Sequence, residues 1–402
     1  MTTQYIQQIP QSKGKEHLLG IAILVAFLLP HSNTLFLMMN PLFCLLLVYS
    51  FSKSRRWSPY VMMVVVPIFV SLLFNISVAS QKAFLSAFTL LLYFFCFPFV
   101  GKVRVRNIYL YICLGYIVVS QLIYVLGIPV LENYFNTVYP FDTEDTYNIG
   151  HIQQTITTDT ILNYRLGGMY HNANQCAKYL CMLMAFFLLV NKNRKNRFVI
   201  AYSAITYLSI LLTGSRTGFV VASLIVYFGL IRQGGYKGMV RYTFIALAII
   251  GMAYIISSGV ALRSFDVESG FHNSADSKWD TFVFYLTNER SIIAWLFGHF
   301  DSSLFEGQYG SSIMGYFDCE YGDLVFRFGL IGFLCIMVFW WRTYRRVDKN
   351  TRFFFLILLW IISSSIVAAY RAVFIFMLLL SVIYSNYSNN ETQKTFRNSV
   401  HR

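Results

Sequence analysis

Apolar runs long enough to form membrane-crossing helices recur along the whole 402-residue chain. A helix needs about 20 mostly apolar residues to cross the hydrocarbon core of a bilayer. Unbroken runs of this kind lie at 60–80, 83–101, 107–128, 172–190, 240–258 and 322–341. The pattern predicts an all-α, polytopic integral membrane protein, with a single transmembrane domain over 1–402.

Three longer apolar stretches, at 18–51, 198–231 and 353–386, are each broken once by polar residues. The breaks fall at Pro30-His31-Ser32-Asn33, at Thr213-Gly214-Ser215-Arg216, and near Ser363-Ser364-Ser365 and Arg371. We interpret each stretch as two spans, which gives about 12 transmembrane helices. One long tilted or kinked helix would produce a similar pattern in each case.

Composition supports a membrane protein, because only 12% of the residues are charged and 56% are hydrophobic. A soluble domain of this size carries about a quarter charged residues. The net charge of +14 comes from short basic clusters between apolar runs, so we expect no nucleic-acid partner. The seven cysteines have neither a disulfide framework nor a metal-binding spacing. Nothing in the sequence requires a metal or another cofactor, and we expect the first apolar segment to be retained.

Charge also predicts the orientation of the helices. With a cytoplasmic N-terminus and strict alternation, the cytoplasmic segments are 1–17, 51–59, 102–106, 191–197, 232–241, 342–352 and 387–402. They hold 23 of the 32 Lys and Arg residues and only three acidic residues. Cytoplasmic loops of membrane proteins carry such an excess of Lys and Arg. We therefore predict an inner or plasma membrane protein with both termini in the cytoplasm.

Two long segments, at about 129–171 and 259–321, fall on the exterior (periplasmic) side in this topology. Both are acidic and rich in aromatic residues. Loops of this length between packed helices are usually functional. We therefore expect the functional residues to lie at the exterior ends of the helices.

The first candidate is the motif Leu212-Thr213-Gly214-Ser215-Arg216-Thr217-Gly218. An Arg near membrane depth costs roughly 2.5–3.5 kcal/mol on insertion scales and usually faces a cavity or a partner. The guanidinium of Arg216 suits a phosphate or diphosphate, and the following helix N-terminus adds N–H groups for the same anion. Alternatively, Arg216 reaches out to lipid headgroups. That interpretation does not explain the surrounding Gly, Ser and Thr residues.

The second candidate runs from Arg165 to Asn174, at the exterior start of the span 172–190. His171 and Asn174 are three residues apart and would share a helix face. A His at a water–membrane boundary can act as a base or a donor near neutral pH. The alternative is that an Asn only caps the helix and His171 is a boundary residue.

The third candidate is Glu320, Asp323 and Arg327, spaced three and four apart at the exterior end of the span 322–341. On a helix they share one face, and the two carboxylates could supply a general base. Alternatively, Asp323 and Arg327 form an ordinary ion pair and Glu320 is a favourable N-terminal charge. Two further candidates are His299, within Phe297-Gly298-His299-Phe300, and Arg371, a second cation for the same anion.

Together these motifs resemble the O-antigen polymerases and ligases, which act on glycans linked to a polyprenyl diphosphate. The resemblance rests on Arg165…Gly168-Met169…Asn172-Ala173-Asn174, Leu212-Thr213-Gly214-Ser215-Arg216-Thr217-Gly218, Phe297-Gly298-His299 and Glu320…Gly329-Leu330-Ile331-Gly332. It also includes about twelve spans with a large exterior loop in the second half. It therefore extends over most of the chain.

The resemblance implies a bacterial inner-membrane glycosyltransferase whose substrate is an undecaprenyl-diphosphate-linked oligosaccharide. Membrane lipids and a chain-length regulator protein are its expected partners. An acceptor hydroxyl attacks the anomeric carbon and polyprenyl diphosphate leaves. The groups expected to bind the diphosphate or the glycan are Arg216, Arg371, Arg165, Arg327 and Asn174. The general base would be Glu320, Asp323, His171 or His299.

Polymerase and ligase differ in their acceptor, which is a new lipid-linked repeat unit or lipid A–core. Ligases have a His-Asn pair in the large exterior loop, and His272-Asn273 here lacks the expected apolar continuation. The acidic Asp318-Cys319-Glu320 is more typical of a polymerase, which we favour. A flippase or solute transporter would have short loops on both sides and two related halves. A structural or sensory membrane protein would leave the arginines in the helix breaks unexplained.

Overall fold

The computed structural model describes residues 13–28, 59–77, 105–139, 152–154, 164–170, 173–191, 197–232, 283–289, 291–300 and 320–346. It also describes isolated residues at 84 and 91, between 238 and 251, and at 352–353. Apart from residues 84 and 91, the predicted span 83–101 lies outside the described residues, as do the second half of 18–51 and nearly all of 353–386. The span 240–258 is described only at isolated positions.

Most of the described residues are helical. The first part of the chain forms α1 (Lys13–Leu28), α2 (Pro59–Asn75), α3 (Asn107–Leu126) and α4 (Pro129–Val138). The second part forms α5 (Ala173–Val190), α6 (Arg197–Leu212), α7 (Arg216–Val226), α8 (Ile292–Phe297) and α9 (Glu320–Arg346). α7 continues into a π-helical segment over Tyr227–Arg232. The break predicted at 213–216 is present, since α6 ends at Leu212 and α7 begins at Arg216.

Within the part of the chain that the structure describes, three helices are long and apolar enough to cross a membrane: α3, α5 and the segment Leu324–Arg342 of α9. At 1.5 Å per residue, 18–20 residues span about 27–30 Å, the thickness of a hydrocarbon core. Shorter apolar helices lie at Glu16–Leu28, Met62–Asn75, Arg197–Leu212 and Thr217–Arg232. The protein is therefore helical, and the three long helices indicate a membrane protein. The total of about 12 spans stays a prediction.

The first predicted exterior loop, 129–171, contains secondary structure that the sequence did not predict. It begins with α4, and a short antiparallel pair is formed by β1 (Ile152–Gln154) and β2 (Tyr164–Leu166), with Gln153 opposite Arg165. The all-α prediction describes the helices but missed this strand pair. Three-residue strands are too short to produce a visible alternation of apolar and polar positions.

α5 lies at the centre of the described structure. Most of its side chains are buried, as expected for a helix that is apolar on all sides. It packs against α3, α6 and α7. A Cβ added at Gly218 of α7 would lie 2.6 Å from the Cβ of Ala177 in α5. Gly218 therefore allows α7 to approach α5 closely.

Two sets of contacts show that α1 and α3 run in the same direction. Near their starts, Nδ1 of His17 lies 2.6 Å from the hydroxyl of Tyr109. At the end of α1, the hydroxyl of Tyr139 donates to the carbonyl of Leu28 at 2.7 Å and lies 3.2 Å from the hydroxyl of Tyr116, which is two turns further along α3 than Tyr109. This parallel arrangement is the one that strict alternation predicts.

α5 runs in the opposite direction to α3. Asn191, just after the end of α5, exchanges amide hydrogen bonds with Asn107 at the start of α3, at 2.9 and 3.1 Å. The ends at which α3 finishes and α5 begins therefore lie at the same side of the bundle. In the predicted topology this is the exterior side.

Candidate active site

Two helix breaks interlock in the second half of the chain. α8 ends at Gly298 (φ 77°, ψ 179°), and α9 is interrupted at Gly329 (φ 65°, ψ −177°). Only glycine adopts this backbone region readily. A Cβ on Gly298 would lie 2.3 Å from the carbonyl oxygen of Arg327, and one on Gly329 would lie 2.3 Å from that of Leu296. We call residues 296–300 and 326–329 the double break.

Backbone hydrogen bonds join the two halves of the double break. The N–H of His299 donates to the carbonyl of Phe326, and the N–H of Phe300 donates to the carbonyl of Arg327, both at 2.8 Å. A helix interruption leaves carbonyls without their usual N–H partners. The N–H groups of His299 and Phe300 act as partners for two of these carbonyls. Phe300 has φ 65°, a left-handed conformation that is uncommon for a bulky residue and is often found at functional sites.

α2 supports the double break from one side. The hydroxyl of Ser71, which is fully buried, donates to the carbonyl of Arg327 at 2.8 Å. The side-chain amide of Asn75 donates to the carbonyl of Gly298 at 3.0 Å. Two side chains one turn apart on α2 therefore bond to both halves of the double break.

The double break carries a histidine–carboxylate pair. Nε2 of His299 lies 2.6 Å from Oε2 of Glu289, and the two side chains are 14% and 3% exposed. The backbone N–H of Ser291 donates to the other carboxylate oxygen at 2.8 Å. The imidazole stacks on Phe326, with 4.7 Å between the ring centroids. His299 is thus fixed by its backbone, its ring nitrogen and its ring face.

Arg327 is a buried charged residue within the double break. Its carbonyl belongs to the double break, and the residue is only 7% exposed. Within the described part of the chain, Arg327 and Glu289 are the charged residues that are buried. Buried charges are costly unless they are paired or hydrogen-bonded, so they mark functional sites more often than surface charges do.

Gln121 of α3 ties together a second set of predicted motifs. It is fully buried, and its Nε2 lies 3.3 Å from the carbonyl of Leu166 and 3.2 Å from that of Ser209. The Ser209 hydroxyl donates back to Oε1 of Gln121. Leu166 follows Arg165 in β2, and Ser209 is close to the end of α6. This network joins the strand that carries Arg165 to the helix that precedes Arg216.

The motif Leu212–Gly218 forms a compact polar turn between α6 and α7. The hydroxyl of Thr213 accepts from the N–H of Ser215 at 3.2 Å, and the hydroxyl of Ser215 caps α7 by accepting from the N–H of Gly218 at 3.3 Å. Gly214 has φ 59°, which permits the reversal. Arg216 is the first residue of α7, where the helix dipole contributes positive charge.

The other predicted site residues are placed as follows. Arg165 lies in β2, Asn174 is the second residue of α5 with an exposed side chain, and Glu320 and Asp323 belong to the first turn of α9. His171 and Arg371 lie outside the described residues, as do His272 and Asn273. The structure therefore joins the segments of His299 and Arg327 directly, and those of Arg165 and Arg216 through Gln121.

Sequence analysis missed three residues that hold these sites: Glu289, Gln121 and Ser71. The only sequence signal for Glu289 was its position before Ser291, a typical helix-capping residue. Gln121 and Ser71 are polar residues within apolar runs, which is a signal for buried hydrogen bonding. Within the described residues, no group of three or more His, Cys, Asp or Glu side chains is arranged to bind a metal ion.

Comparison of this chain with protein-family models, with curated proteins and with solved structures gives no match. The described residues define a helical membrane protein with a His–Glu pair, whose carboxylate is buried, and a buried Arg at interlocking helix breaks.

Proposed function

We propose that this chain is a glycosyltransferase that polymerises polyprenyl-diphosphate-linked oligosaccharide repeat units into O-antigen or a related surface polysaccharide. The reaction would take place on the outer face of the bacterial cytoplasmic membrane. The observation that carries the proposal is the double break, which joins the segments of a histidine and a buried arginine. Such a reaction needs both a base and a cation.

The chemistry assigns one role to each group. The acceptor hydroxyl oxygen forms a bond to the anomeric carbon of the donor while the bond from that carbon to the diphosphate oxygen breaks. His299 takes the hydroxyl proton as general base. The electron pair leaves with the polyprenyl diphosphate, whose developing charge is stabilised by fixed cations.

The cations in this mechanism are Arg327 and Arg216. Arg327 belongs to the double break itself. Arg216 opens α7, where its guanidinium and the helix N-terminus would act on one anion. Arg165, on the strand tied to α6 by Gln121, would assist at the same exterior end. Glu320 and Asp323 remain alternative bases, at the first turn of α9.

Reconstitution tests the proposal. The purified full-length protein in liposomes is given polyprenyl-diphosphate-linked repeat units extracted from a strain that lacks this chain, and products are separated on a gel. We expect a ladder of polymers from the wild type and only slow formation of the shortest oligomers from His299→Ala. Transfer only to added lipid A–core would instead identify a ligase. Movement of the donor across the bilayer without any new glycosidic bond would identify a flippase. Either the ligase result or the flippase result would overturn the proposal.

A further inference from the structure

We propose that Glu289 is a positioning residue that fixes the tautomer of His299, so that Nδ1 of His299 is the atom that accepts the proton. This inference rests on the proposed function. It adds a residue that the sequence motifs did not include and assigns a role to each nitrogen of the ring.

The hydrogen bonds of the Glu289 carboxylate indicate which ring nitrogen of His299 carries the proton. An ionised carboxylate can only accept hydrogen bonds. Oε1 of Glu289 accepts from the N–H of Ser291 at 2.8 Å, and Oε2 lies 2.6 Å from Nε2 of His299. In this arrangement Nε2 carries the proton. A neutral imidazole has its lone pair on the other nitrogen, which is Nδ1.

The surroundings hold the carboxylate in place rather than exposing it to substrate. The Glu289 side chain is 3% exposed, whereas that of His299 is 14% exposed. The carbonyl of Glu289 accepts from the indole N–H of Trp295 at 3.1 Å. Glu289 is therefore anchored by both its backbone and its carboxylate, and it acts through His299.

The orienting carboxylate also stabilises the product of proton transfer. When Nδ1 takes the acceptor proton, the imidazole becomes positively charged, and the nearby carboxylate lowers the energy of that state. Replacing such a carboxylate by an amide preserves shape but allows the wrong tautomer, because the amide can donate to Nε2. We therefore expect the effect to fall on turnover and not on substrate affinity.

The test uses the full-length protein in the liposome assay with extracted lipid-linked repeat units. Glu289→Gln is expected to lower kcat about 100-fold or more, with KM changed less than threefold. Glu289→Asp, which retains the carboxylate, is expected to recover part of that loss. The matched control is Glu132→Gln on α4, a partly exposed carboxylate that should retain wild-type turnover.

A double-variant comparison separates positioning from general support of the fold. If Glu289 acts through His299, then Glu289→Gln combined with His299→Ala is no slower than His299→Ala alone. A further independent loss in the combined variant, or wild-type turnover in Glu289→Gln, would overturn the inference. If Glu289→Gln fails to accumulate in membranes, Glu289→Ala takes its place, because wild-type turnover in that variant contradicts a positioning role. A wild type that makes no polymer would instead contradict the proposed function.

Discussion

A buried carboxylate stays ionised only where hydrogen-bond donors replace the water that it has lost. Glu289 has two such donors, the backbone N–H of Ser291 and Nε2 of His299. Ser291 also caps α8 by accepting from the N–H of Ala294 at 3.2 Å. Ser291 therefore has two roles. It caps the start of α8, and it holds the Glu289 carboxylate, which contacts His299 just after the end of α8.

Arg216 is the residue whose replacement best tests the diphosphate-binding site. Arg216→Ala should leave the protein in the membrane and abolish polymer, while single repeat units still reach the cell surface. Arg216→Lys should restore little activity, because an ammonium group cannot form two parallel hydrogen bonds with a phosphate. Surface glycan chain length in a strain with each variant is the measurement.

The control for Arg216 is Arg197→Ala, at the predicted cytoplasmic start of α6, which should give normal polymer. Normal chain lengths in the Arg216→Ala strain would contradict the assignment of Arg216. A strain with no surface repeat unit at all would indicate a defect in translocation instead.

The candidate site could be predicted from the sequence only in part. His299 and Arg327 were identified because each belongs to a polar motif at a helix end. Glu289 was missed because its contact with His299, ten residues further on, depends on how the segment between them folds. Gln121 was missed because its partners lie 45 and 88 residues away, on other elements. Local patterns carry no information about such contacts.

At the scale of elements, the important departure from expectation is α9. Its apolar sequence predicted a continuous span over 322–341, and the structure interrupts it at Gly329. Gly is tolerated within apolar helices, so the residue alone does not indicate a break. The break is set by tertiary structure, because α8 and α2 supply hydrogen bonds to the carbonyls around it.

Replacement of either glycine in the double break should be strongly destabilising. Gly298→Ala and Gly329→Ala force a side chain into a backbone region that costs about 1–3 kcal/mol, and the new Cβ would also overlap a carbonyl. We expect a lower thermal unfolding midpoint in detergent and loss of polymerisation for both variants.

Gly115→Ala on α3 is the matched control for these variants. A Cβ there meets no atom within 4 Å, and alanine in a helix is favoured over glycine by about 0.5–1 kcal/mol. The midpoint should therefore stay the same or rise. Unchanged midpoints in Gly298→Ala and Gly329→Ala would mean that the two breaks do not interlock as described.

At the scale of the whole molecule, the relative directions of three packed helices are those that alternation of the predicted spans requires. The described contacts make α1 parallel to α3 and α5 antiparallel to it. Alternation gives these relative directions from either side of the membrane, so the cytoplasmic N-terminus stays a prediction from loop charge. Directions of packed helices follow from sequence through hydrophobic length and loop charge. The packing partners of each helix do not follow from these signals, because any apolar helix can pack against any other.

Labelling of single cysteines tests this orientation. In a parent protein with Cys44, Cys96, Cys319 and Cys335 replaced by Ser, Thr137→Cys on α4 should react with a membrane-impermeant maleimide in intact cells. Arg197→Cys at the start of α6 should react only after the membrane is permeabilised. Both positions are exposed in the structure. The described cysteines in α3 and α5 are buried and should contribute no background. The reverse pattern would contradict the predicted exterior side.

The hydrogen bond from Ser71 to the carbonyl of Arg327 has a consequence for how the protein is made. The two residues are 256 positions apart in the chain. At about 5–20 residues per second, ribosomes need roughly 13–50 s to synthesise that interval. α2 therefore enters the membrane long before its partner in the double break exists. The candidate site is completed only after most of the chain has been synthesised, so a ribosome that stops early releases a protein without it.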